Sequence, residues 1–130
     1  MISALAGDAT LLDYMKPTIA QLVDRFALAS ARHHEFSLGG NWRLANREVA
    51  RIRSAFRQLV KEGVPGREAL LSLLNSQTTS VAAMAAAYSL GYNAEQSLPI
   101  LAQIAKEPGL IGFEAEQAIQ RWNGGEWHLE

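Results

Sequence analysis

One helix pair occurs twice in the C-terminal half of the chain, and this repetition restricts the possible folds more than any other feature. The first copy spans about residues 67–90 and the second about residues 96–122. In the outer helix, Leu70, Leu71 and Leu74 correspond to Ile100, Leu101 and Ile104 at one constant offset. In the inner helix, Val81, Ala83, Ala86, Ala87 and Leu90 correspond to Phe113, Ala115, Ala118, Ile119 and Trp122. That offset is two residues larger (Val81 to Phe113 against Leu70 to Ile100), which places two extra residues in the loop of the second copy. A two-helix unit recurring at about 30 residues predicts an all-α chain, a short α-solenoid in which stacked pairs share one core.

The rest of the chain extends this pattern to about six helices. Ile19, Leu22, Val23 and Phe26 recur at three and four residues, one apolar face of a helix that starts near Pro17 and reaches about His34. Asp8 to Met15 is either a short leading helix or a kinked extension of the same one. Gly39-Gly40 breaks the pattern and Asn41 is the expected N-cap of the next helix. That helix buries Ala45, Val49, Ile52, Phe56 and Leu59. Gly63 suits its left-handed C-terminal position, and Pro65-Gly66 makes the turn. Gly91 closes a later helix, Asn93 with Gln96 reads as a capping box, and Gly124-Gly125 ends the last helix. The alanine-rich run from Val81 to Ala87 suits a tightly packed central helix.

At 130 residues the chain reads as one domain, residues 1–130, with residues 1–16 as an N-terminal extension and 124–130 as a tail. A chain of this length buries about two thirds of its unfolded surface and folds without a disulfide or metal. It has no cysteine, which removes thiolate chemistry. Met1 to Gly7 is short, apolar and without a basic region, so it does not read as a signal peptide. No apolar run approaches the roughly 20 residues of a membrane span. The expectation is a soluble, cytoplasmic protein that binds no membrane.

Charge is distributed unevenly. Arg43, Arg47 and Arg51 stand at i, i+4 and i+8 on one helix face, and Arg53, Arg57 and Lys61 form a second ladder. Half of the twelve basic residues lie on this helix, against Glu48 alone among acids. Beyond Gly91, Glu95, Glu107, Glu114, Glu116, Glu126 and Glu130 face only Lys106 and Arg121. A polarised molecule with a net charge of −1 fits an electrostatically steered protein partner better than a constitutive nucleic-acid binder. Only Trp42 and Phe56 are aromatic in the basic helix, too few to stack bases along a phosphate-tracking groove.

No catalytic pattern is present. There is no nucleophile elbow, phosphate loop or dinucleotide fingerprint, and no cofactor is expected. Adjacent His33 and His34 point about 100° apart on a helix and do not converge on a metal ion. Glu114 and Glu116, two residues apart, diverge likewise. Trp122 continues the apolar face of Ile111, Ala115, Ala118 and Ile119. Trp127 either folds back over the last pair or joins a contact surface.

The stretches Leu44-Ala45-Asn46-Arg47, Leu73-Leu74-Asn75-Ser76 and Gly109-Leu110-Ile111-Gly112-Phe113-Glu114-Ala115, with Trp122 followed by Gly125, resemble a family of small bacterial HEAT-like domains of unknown function. The resemblance covers about residues 26–127, and the Gly109-to-Trp122 segment is its most specific part. It implies a non-catalytic immunity protein that neutralises a cognate toxin or effector domain encoded beside it, and it carries over no catalytic residues. Arg43, Arg47, Arg51, Glu114, Glu116, Glu126 and Trp127 are the expected partner-binding residues. A scaffold or regulatory adaptor is the alternative, followed by a nucleic-acid-binding helical module.

Overall fold

A computed structural model describes residues 15–126. The leading segment up to Tyr14, and Trp127 with the rest of the tail, lie outside the described residues. Six α-helices occupy the described residues, with no strand among them: α1 (Ile19–Leu38), α2 (Trp42–Lys61), α3 (Val64–Leu71), α4 (Thr79–Ser89), α5 (Ala94–Ile104) and α6 (Gly109–Asn123). A 3-10 turn, Ser72–Asn75, continues α3.

Local chemistry sets the helix ends. The Thr18 hydroxyl accepts from the Gln21 N–H at 3.1 Å, and the Gln21 side-chain oxygen accepts from the Thr18 N–H at 3.0 Å. This reciprocal capping box makes Thr18, not Pro17, the start signal of α1. The helix then runs to Leu38, a turn beyond His34, because Gly39 is its C-cap. Asn41 caps α2 through the Leu44 N–H at 3.2 Å, and Asn93 caps α5 through the Gln96 N–H at 3.0 Å.

Two corners share one device. At Gly63-Val64-Pro65-Gly66 and Gly109-Leu110-Ile111-Gly112, the first glycine has a positive φ (74° and 83°). The second glycine is buried where the new helix crosses the end of the old one. A Cβ at Gly66 would overlap the Leu59 carbonyl, and one at Gly112 would overlap the Glu107 carbonyl. The chain therefore turns from α2 into α3 and from α5 into α6 by close backbone approach.

The core centres on α4, which packs against α1, α3 with its 3-10 turn, α5 and α6. Ala82, Ala85 and Ala86 are buried there and let the neighbouring helices come close. Tyr88 sits at the meeting point of the first two helix pairs. Its ring makes edge contacts with Phe26 (5.6 Å between centroids) and Phe56 (5.0 Å).

Burial corrects the inner-helix register. Val81 is 5% exposed, whereas Phe113, its expected counterpart, is 61% exposed. The buried positions of α6 are Gly112, Ala115 and Ala118. They match Ala82, Ala85 and Tyr88 of α4 at the offset that also relates Leu74 to Ile104, so no extra loop residues are needed. Ala83 is correspondingly half-buried, while Ala86 and Ala118 are buried. Matching large apolar side chains misplaced the register because the fully buried positions of α6 are glycine and alanine, while Ile111, Ile119 and Trp122 pack against the core only partly buried.

Candidate functional site

The alanine stripe of α4 faces that of α6 across a gap. Ala83, Met84 and Ala87 line one side, and Ile111, Ala115 and Ala118 the other. Short side chains on both sides leave an open cavity of about 440 Å3 with an apolar floor. α1 closes one edge with His33 and His34, α2 contributes Arg53, and α6 adds Phe113, Glu114 and Arg121 to the rim.

The rim is polar and leans positive, with Arg53 and Arg121 against Glu114. Arg53 hydrogen-bonds the Tyr88 hydroxyl. Burial raises the Tyr88 pKa above its ordinary value, and the Arg53 hydrogen bond and the charges of Arg53 and Arg57 oppose that rise. The Nδ1 of His34 is shielded from solvent with no hydrogen-bond partner. Ser30 is engaged by its own helix, donating to the Phe26 carbonyl at 2.8 Å, and is not poised as a nucleophile. Among the described residues no group of three or more His, Cys, Asp or Glu could hold a metal ion. No helix among them is long and apolar enough to cross a membrane.

The expected partner-binding residues do not gather at one place. Arg43, Arg47 and Arg51 are exposed along α2. Arg51 lines a separate groove between α1 and α2, together with Glu48. Glu114 lies on the cavity rim, whereas Glu116 points elsewhere and accepts from the Gln120 side-chain amide at 3.2 Å. Glu126 is exposed beyond the end of α6, and Trp127 lies outside the described residues. The two basic ladders of α2 serve different sides, Arg51 the groove and Arg53 the cavity.

Sequence reasoning passed over Arg25, Arg32, Arg53, Arg121 and Phe113 as site residues. A signal did exist for Glu48. It is the one acid of a basic helix, and it falls between Ala45 and Ile52 on the apolar stripe.

No protein-family model matches the chain, and no curated protein or solved structure matches it significantly.

Proposed function

We propose that this chain is a non-catalytic protein-binding domain, a short stack of HEAT-like helix pairs. Following the family resemblance, it acts in the cytoplasm as an immunity protein that neutralises a cognate bacterial toxin by direct binding. The observation that carries the binding reading is the cavity between α4 and α6, with Phe113 standing 61% exposed on its rim. An apolar depression beside an exposed aromatic, ringed by polar groups, suits capture of an anchoring side chain from a partner. Arg53 and Arg121 favour a partner whose anchor is flanked by acids.

The test is calorimetric titration with the purified product of the neighbouring toxin gene. Wild-type protein forms a complex and protects the co-expressing host. Phe113→Ala weakens the complex tenfold or more without changing the fold, since the Phe113 side chain is largely in solvent. Absence of both complex and protection would overturn the immunity reading in favour of a scaffold or regulatory adaptor. A complex of unchanged strength in Phe113→Ala would overturn the cavity as its site.

A further inference from the structure

The groove between α1 and α2 shares no lining residue with the cavity and has a volume of about 410 Å3. Its floor is formed by Ala29 and Ala55, both buried, and their small side chains leave it open. Arg25 and Arg32 line it from α1, and Arg51 and Gln58 from α2. Glu48 engages Arg51 at 2.6 Å through one carboxylate oxygen. Arg25 and Arg32 have no hydrogen-bond or ion-pair partner among the described residues. The acids of α1, Asp24 and Glu35, do not line the groove. Beyond Arg51 the same face of α2 continues to Arg47 and Arg43, both exposed.

Unpaired guanidinium groups on one face repel each other, and an anionic occupant would relieve that repulsion. The planar fork of arginine fits a carboxylate through two parallel hydrogen bonds. Arg25 and Arg32 are seven residues apart on α1, about 10 Å along its axis at the usual helical rise. Two carboxylates seven residues apart on a second helix lying alongside have the same spacing. Leu28, 53% exposed, stands between the two arginines and offers an apolar contact at the midpoint. The groove lining contains no aromatic side chain on which a base could stack, and Glu48 within it opposes a continuous polyanion.

We propose that this groove docks an acidic helix of a protein partner. Carboxylates two turns apart meet Arg25 and Arg32, and an apolar residue between them covers Leu28. Arg51, tethered by Glu48, holds the side of the groove nearest α2. The proposal rests on the protein-binding reading but is independent of the cavity.

The probe is a fluorescein-labelled alanine-based helical peptide with two glutamates seven residues apart and a leucine between them, followed by fluorescence anisotropy. Controls are a peptide of the same composition with the glutamates on opposite faces and a single-stranded oligonucleotide of similar length. The spaced peptide is expected to bind at least tenfold tighter than either control and to weaken as salt rises. Arg25→Gln with Arg32→Gln, both at exposed positions, should cost tenfold or more with an unchanged circular dichroism spectrum. Phe113→Ala should leave peptide binding intact, which separates this site from the cavity. No binding of the spaced peptide, equal binding of the control peptide, or indifference to the double substitution would overturn the proposal. Tighter binding of the oligonucleotide would overturn it in favour of a phosphate-binding surface.

Discussion

Glu48 is buried to 3% exposure, and Arg51, one turn further along α2, pairs with it at 2.6 Å while remaining half in solvent. One carboxylate oxygen takes the arginine, and the other is shielded with no partner. A buried carboxylate depends on its counterion more than the counterion depends on it. Arg51→Ala should therefore destabilise the fold by about 1–3 kcal/mol. Glu48→Met, which removes the buried charge and fills its volume, should be neutral or stabilising. Urea denaturation midpoints of the two variants check this asymmetry. Equal losses from both would contradict it.

The paired glycine corners predict sharply different costs for one methyl group. Gly66→Ala and Gly112→Ala push a Cβ into the carbonyls of Leu59 and Glu107, and each should cost about 1–3 kcal/mol or more. Gly91→Ala meets open space at an ordinary φ and should be neutral or gain up to about 1 kcal/mol. Thermal melts of the three variants give the comparison directly.

Ala86 and Ala83 lie three residues apart on α4 but face different surroundings. Ala86 is fully buried, whereas Ala83 is half-buried against the cavity. Ala86→Phe should overpack the interface and lose about 1–3 kcal/mol. Ala83→Leu has room to grow and should be tolerated within about 0.5 kcal/mol while reducing the cavity. Similar destabilisation by both in chemical denaturation would show that the cavity is closed to added volume.

Tyr88 and Tyr92 give the fold an alkaline limit. Burial raises both pKa values above the ordinary 10.0, against Arg53 at Tyr88 and against the Ser89 hydrogen bond at Tyr92. The folded state therefore favours the neutral phenols. Their contribution is fully present below pH 10 and is lost as pH rises through the raised folded values. Unfolding free energy measured from pH 9 to 11.5 should fall, with a shallower slope in Tyr88→Phe and Tyr92→Phe. An unchanged slope in both variants would contradict this assignment.

The helices were legible because their signals are local. Leu22 with Phe26 and Ile52 with Leu59 mark apolar faces by spacing alone, and Asn41, Asn93 and Gly63 carry end signals in their own chemistry. The sites were not legible in this way. Arg25 and Arg32 join Arg51 only because α1 and α2 pack side by side, a relation that no local window contains. Phe113 misled the register because an aromatic in an apolar pattern reads as core, while the fully buried positions of α6 are Gly112, Ala115 and Ala118. Glu48 was visible as an acid on an apolar stripe. Its pairing with Arg51 follows from their helical spacing, but the groove around it depends on the neighbouring helix.

The position of α4 bears on how the chain folds. In a linear array each unit touches only its neighbours, and one end can open while the other persists. Here a single alanine-rich helix packs against α1, α3, α5 and α6 and meets α2 through Tyr88 and Phe56, so separating any pair strips a face of α4. Cutting the chain between α3 and α4 would leave neither fragment with a closed interior. The amide protons of α4 would then exchange with solvent only through global opening, while those at exposed helix ends could exchange by local fraying. Unfolding followed by circular dichroism and by tyrosine fluorescence should then give one coincident transition.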